Sequence, residues 1–195
     1  MADTQVLDRK QEIRRQILDR RRGLGHAEML RTSLTAQRRL LMLPEWKNAG
    51  HVCTFIGSKP GEVSTLGIIQ AALDSGKNIC VPVIDPESKE LLLSPVTDTG
   101  NLARGFHGIL EPADSPRVAL DKPDWDLAVV PGLAFGRDGG RIGFGKGYYD
   151  RLLAVRKTPR IALAFSFQVL NTVPCLPHDV PVDMIVTERE TIAVG

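Results

Sequence analysis

Residues 131–151 read PGLAFGRDGGRIGFGKGYYDR, twenty-one positions holding seven glycines, four basic side chains and two aspartates. Glycine at this density lets backbone N–H groups come close to an anion, because no Cβ stands between them. Lys146 and Arg141 add positive charge, and Asp150 is placed to hold a metal. Just before the stretch, residues 126–130 (DLAVV) are the clearest strand candidate in the chain, and 148–155 read as a short helix. The first expectation is a polyphosphate cradle.

Strands and helices alternate around this unit. Upstream, 51–56 (HVCTFI) read as a strand and 63–75 as a helix with Leu66, Ile68, Ile69 and Leu73 inward, ended by Gly76. A strand follows at 78–83, where Pro82 implies a strand end or a sheet edge. A further strand covers 91–93 and 95–96, and 97–123, rich in glycine and proline, read as a long irregular connection. Downstream, strands are expected at 160–165, 184–187 and 191–194. Two helices, 3–22 and 26–43, precede everything, the second closed by Pro44. The alternation predicts an α/β fold over 1–195 as one domain, with a mostly parallel sheet and helices on both faces. Ligands of such sheets bind beyond the carboxyl ends of the strands. Loops 55–62 and 131–147 both follow strands, so both are expected to line one crevice.

Composition excludes several classes. With 25 basic and 23 acidic residues the net charge is +2, too small to imply a nucleic-acid or membrane partner by itself. No run approaches the roughly 18–20 apolar residues that span a bilayer. Cys53, Cys80 and Cys175 make no metal-ligand spacing, and Cys53 and Cys80 read as core thiols of a reducing, cytoplasmic protein. Seven basic residues lie between Arg9 and Arg22. They read as a solvated helix face, as a pair (Lys10 and Arg14, four apart) reaching an anionic ligand, or as a nucleic-acid surface. The absence of interleaved aromatics argues against single-strand binding.

Known nucleotide loops fit poorly. Gly140 to Lys146 matches GxxxxGK, but Gly147 follows where a P-loop needs Ser or Thr, and Gly140 lies nine positions beyond Pro131. Gly143, Gly145 and Gly147 give GxGxG rather than the dinucleotide fingerprint GxGxxG. A nest of N–H groups opening onto a helix N-terminus remains, beside the plainer reading of turn glycines. Asp150 in the first helical turn reads either as a magnesium ligand or as an ordinary helix N-terminal carboxylate.

The stretch 131–151 resembles the signature of the 5-formyltetrahydrofolate cyclo-ligase family, and the resemblance covers nearly the whole chain. Lys10 and Arg14 match the family's early basic pair, and Ser58, Glu62 and Thr65 its post-strand serine, glutamate and threonine. HGILEP at 107–112 matches its Gly-Ile-x-Glu-Pro stretch. Gln168, His178, Asp179, Asp183, Thr187 and Glu188 match its closing pattern. Ile56 and Gly136 depart from it, where an aromatic and an aspartate are usual.

The resemblance implies a three-layer α/β/α fold with a Rossmann-like sheet and N-terminal helices. It implies ATP-dependent conversion of 5-formyltetrahydrofolate to 5,10-methenyltetrahydrofolate, with Mg2+ and release of ADP and phosphate. Lys10, Arg14, Arg141, Ile142, Gly143, Phe144, Gly145, Lys146, Gly147, Tyr148 and Tyr149 would hold ATP, with Lys146 and Arg141 catalytic. Gly57, Glu62, Phe144, Gly145, Lys146, Gly147 and Tyr148 would hold the folate, and Asp150 and Asp183 the metal. His178 reads as a turn residue with Asp179, against a direct catalytic role. A monomer or weak homodimer is expected, and Asp150→Ala is expected to lose most turnover with the fold intact.

Overall fold

The computed structural model describes residues 2–57, 59–105, 108–113, 115–120 and 124–195. Among them the chain runs α1 (Ala2–Arg22), α2 (His26–Met42), α3 (Pro44–Asn48), β1 (His51–Cys53), α4 (Leu66–Asp74), β2 (Asn78–Ile84) and β3 (Leu91–Val96). It continues through β4 (Leu102–Arg104), β5 (Leu110–Pro112), β6 (Leu127–Val130), β7 (Ala134–Gly136) and β8 (Arg141–Ile142). It ends with α5 (Tyr148–Ala154), β9 (Arg160–Leu163), β10 (Val169–Leu170), β11 (Met184–Val186) and β12 (Thr191–Ala193).

Seven strands form the main sheet in the order β12-β11-β9-β6-β1-β2-β3. The central run from β11 to β2 is parallel, and β12 and β3 add an antiparallel strand at each edge. Alternation along the strands sorts them onto two buried faces. Val52, Leu127, Val129, Ile161, Leu163 and Val186 pack with Ala36 and Leu40 of α2, Trp46 of α3 and Ile68 and Ile69 of α4. Cys53, Ala128, Ala162 and Ala164 turn the other way, toward Leu152 and Leu153 of α5. Their small side chains let that short helix lie close to the sheet. The expected layered α/β fold is present.

Several local readings change. Pro44 does not simply end a helix: it opens α3, where a missing N–H costs nothing. The helix expected over 63–75 starts at Leu66, which is partly exposed, while Ala72 is buried in its place. Pro82 lies inside β2, but past Cys80, the last residue paired with β1, so no ladder bond is lost on that side. The connection 97–123 is not irregular throughout, since β4 and β5 pair antiparallel within it.

The glycine-rich stretch is more ordered than a loop. β7 and β8 pair antiparallel, with Ala134 opposite Ile142 and Phe135 opposite Arg141, and β10 extends them to a three-stranded sheet. This hairpin accounts for the nine positions from Pro131 to Gly140. Its turn is fixed by Asp138, whose Oδ1 accepts the Gly140 N–H at 3.1 Å and whose Oδ2 accepts the Thr172 hydroxyl at 2.6 Å. A Cβ on Gly136 would lie 2.1 Å from Asp138 Oδ1, so glycine at this departing position suits the turn.

α1 docks on this small sheet, not on the main one. Ile13 and Ile17 pack with Leu133, Ala134, Ile142 and Val173. The same helical face buries Lys10 and Arg21 at its two ends. Among the described residues no helix is long and apolar enough to cross a membrane.

Candidate active site

The chain passes from β1 to β2 toward one edge of the sheet and from β6 through β9 to β11 toward the other. Strand order therefore reverses between β1 and β6, where α/β sheets place their ligands. The segments that leave these two strands line one cavity of about 420 Å³. The expectation of a shared crevice holds.

The segment after β1 is tightly closed. The Gly57 N–H donates to Thr65 Oγ1 at 2.9 Å, and the Thr65 hydroxyl donates to Phe55 O at 2.6 Å. A Cβ on Gly57 would lie 2.0 Å from Val63 O. Gly57→Ala is therefore expected to lower the melting temperature by about 5 °C through overpacking. Scanning calorimetry checks this, and an unchanged melting temperature would show that the segment yields freely. Glu62 is buried with its Oε2 accepting the Lys59 N–H at 3.3 Å and its Oε1 3.8 Å from Arg21 Nη1. Burial pushes the Glu62 carboxyl above its ordinary range, while Arg21 and Lys59 pull it back. The Lys59 ammonium lies 4.0 Å from the centre of the Phe144 ring, joining the two segments across the cavity.

Cations surround the glycine turn. Lys10 pairs with Asp179, Arg14 Nε donates to Gly143 O at 2.9 Å, and Arg141 Nη2 donates to Asp150 Oδ1 at 2.6 Å. Lys146 is exposed, and its ammonium has no hydrogen-bond or ion-pair partner among the described residues. Gly145 and Gly147 adopt φ of +94° and +67°, left-handed values that glycine takes without strain. They shape the cavity-lining turn ahead of α5, whose N-cap is Gly147. Ile142 is buried beneath the turn and Phe144 is half-exposed at its tip. Tyr149 reaches into both faces of the core with the Arg141 guanidinium 5.8 Å from its ring, and burial pushes its phenol well above the usual value. The Tyr148 ring lies 5.0 Å from the Arg151 guanidinium.

The opposite wall is mostly apolar, built by Phe55 and Ile56, by Val81 and Val83 of β2, by Leu91 of β3 and by Leu110 of β5, with Glu62 and Glu111 as its carboxylates. Sheet order sets this division, because β2 and β3 lie on the far side of β1 from β6.

Every site residue expected from the sequence lines the cavity except Gly57 and Asp183. Gly57 shapes the wall from one position past Ile56. Asp183 is a correction. It precedes β11 and so lies at the amino ends of the parallel strands, away from the cavity. Its Oδ2 accepts the Arg160 N–H at 2.8 Å, and it lines a separate surface hollow with Glu45 and Lys157. Asp150 lines the cavity and Asp183 does not. Among the described residues no group of three or more His, Cys, Asp or Glu is placed to hold a metal. Asp179 carries the turn attributed to His178, accepting the Leu176 N–H at 2.6 Å, while His178 lines the cavity rim. Ser58 and His107 lie outside the described residues.

Three contributors were given no role from the sequence. Glu111 of β5, which falls in the HGILEP match, brings a buried carboxylate to the cavity, paired with Arg117 at 3.0 Å. Gln168 Nε2 donates to Gly132 O at 2.8 Å and Leu133 O at 3.0 Å, tethering the exit of β6. Arg21 was detectable, because it continues the helical face of Lys10 and Arg14.

The fold and this crevice define an α/β enzyme on a Rossmann-like sheet. The family model of the 5-formyltetrahydrofolate cyclo-ligase family matches residues 6–188. The 5-formyltetrahydrofolate cyclo-ligase of Mus musculus is 31% identical over 199 residues, covering 96% of this chain and 98% of its own. That of Escherichia coli strain K12 is 30% identical over 175 residues, covering 88% of this chain and 96% of its own. The NMR structure of Aquifex aeolicus 5,10-methenyltetrahydrofolate synthetase has a TM-score of 0.81 and 36% identity, covering 95% of this chain and 92% of that one. The chain belongs to the 5-formyltetrahydrofolate cyclo-ligase family.

Proposed function

We propose that this protein uses ATP to convert 5-formyltetrahydrofolate to 5,10-methenyltetrahydrofolate, with residues 1–195 acting as one domain. The observation that carries this reading is the divided crevice, basic and glycine-rich on one side and mostly apolar on the other, with Lys146, unpaired among the described residues, on the basic side. Phosphates suit the basic side and a pterin with its aminobenzoyl group the apolar side.

The formyl amide is a poor electrophile, and its oxygen is a poor leaving group. Transfer of the γ-phosphoryl group of ATP to that oxygen releases ADP and leaves an iminium-like carbon. N10 attacks this carbon and loses its proton, the C–O bond breaks, and phosphate departs. No covalent enzyme intermediate is required, so catalysis is positioning and charge stabilisation. Lys10, Arg14 and the turn Arg141, Ile142, Gly143, Phe144, Gly145, Lys146, Gly147, Tyr148 and Tyr149 hold ATP in this reading. Lys146 and Arg141 neutralise charge on the transferring phosphoryl group. Glu62 accepts hydrogen bonds from the donor edge of the pterin, and Gly57 keeps its segment closed. Phe144 and Tyr148 offer ring faces to the folate.

Mg2+ commonly binds one or two carboxylates together with substrate phosphates. Asp150 fits that role as a single protein ligand. Its Oδ1 accepts from Arg141 and from the Val180 N–H at 3.2 Å, while Oδ2 has no donor among the described residues. When bound, Mg2+ supplies neutralisation of phosphate charge.

The alternative reading of α1 as a nucleic-acid surface is disfavoured, since Lys10 and Arg21 face inward. A monomer or weak homodimer in the cytoplasm completes the proposal. Purified protein given 5-formyltetrahydrofolate and Mg-ATP is expected to develop the near-ultraviolet absorbance of methenyltetrahydrofolate, with one ADP per product. Bound ATP without this signal would point to another ATP-dependent ligase.

A further inference from the structure

Arg21 occupies the seam where α1, the segment after β1 and the exit of β6 meet. Its side chain is only 4% exposed. Nη2 donates to Gly132 O at 2.6 Å, Nη1 lies 3.8 Å from Glu62 Oε1, and Nε has no hydrogen-bond partner among the described residues. The backbone beside Glu62 is shaped around it. Gly61 adopts φ of +71°, and a Cβ there would lie 2.6 Å from Arg21 Cβ.

Burying a guanidinium is costly unless it is paired, so the contact with Glu62 has a function for both groups. The two partners of Arg21 differ in their alternatives. Gly132 O also accepts from Gln168 Nε2 at 2.8 Å, so the exit of β6 stays tethered without Arg21. Glu62 is otherwise faced by Lys59 of its own segment and by the Tyr149 phenol of α5, and Lys59 directs its ammonium to Phe144.

We propose that Arg21 is a positioning residue that aims the Glu62 carboxylate into the folate half of the crevice without serving the ATP half. The inference rests on the proposed cyclo-ligase activity and on Glu62 as its folate acceptor. Arg21 favours the charged form of Glu62. Its loss leaves burial opposed by Lys59 alone, so the carboxyl ionises at higher pH.

Steady-state kinetics as a function of pH test this on the full chain. Arg21→Met is expected to raise KM for 5-formyltetrahydrofolate about tenfold, a size set by the neighbouring-charge effect, with KM for ATP changed less than about twofold. The acid limb of kcat/KM for the folate is expected to move upward by about one pH unit. Arg21→Lys is expected to return that limb toward the wild-type position. In a Glu62→Gln background, Arg21→Met is expected to add less than about a twofold change, because the coupled partner is gone.

An unmoved acid limb with unchanged folate KM overturns the proposal, as does a parallel rise of both KM values. Should Arg21→Met alone fail to fold, the comparison of wild type, Arg21→Lys and the double variant decides the question. Wild-type protein that makes no product overturns the proposed function itself, a result read before any variant.

Discussion

Lys146→Met is expected to lower kcat about a thousandfold while the melting temperature stays within about 2 °C of wild type. The size follows from the role of a cation that meets charge developing on a transferring phosphoryl group. Removing one such donor from a preorganised site costs about 100- to 1000-fold in rate. Stability is expected to hold because Lys146 is exposed and unpartnered, whereas Lys10, Arg14 and Arg141 are each engaged in the fold. Those three also explain why KM for ATP should rise less than kcat falls, since they remain to bind phosphates. The check is product absorbance under saturating substrates, alongside calorimetry. A kcat within tenfold of wild type would remove Lys146 from the chemistry and leave it a binding residue at most.

The contrast among these cations shows where sequence reading succeeds. Helical spacing put Lys10 and Arg14, four apart, on one face, but it took the family resemblance to choose a ligand over a solvated surface for them. Ile13 and Ile17 supplied the stripe that presses the face inward, although the surface they press on was hidden. That surface is β7 and β8, whose strand character is masked by Gly136 and by the two-residue length of β8. Short strands declare themselves only when paired, which is also why β4 and β5 read as irregular chain. Arg21 lay on the legible face, but its partner Gly132 is 111 positions away and could not be inferred from local pattern. Asp183 failed for a different reason. Motif order places residues along the chain but does not say at which end of a parallel strand they fall, and Asp183 falls at the amino end.

Asp150 is the position where the structure most alters what a variant should do. The sequence expectation that Asp150→Ala leaves the fold intact now carries a stability cost, because Asp150 partners Arg141, whose side chain is 3% exposed. Arg141 Nε already lacks a partner, so alanine would strand a buried guanidinium. Breaking a buried pair costs about 3–5 kcal/mol, and the partial exposure of Asp150 favours the lower figure. Asp150→Ala is thus expected to melt several degrees lower and to lose activity for two reasons at once. Asp150→Asn separates them, since its amide oxygen still accepts from Arg141 and from the Val180 N–H while the charge is gone. It is expected to melt within about 3 °C of wild type and to lose about 100-fold in kcat. If the carboxylate holds Mg2+ with the phosphates, raising the Mg2+ concentration should recover part of the Asp150→Asn rate. A rate that stays low at every Mg2+ concentration would reduce Asp150 to the anchor of Arg141, and a near-normal rate would remove it from the reaction altogether.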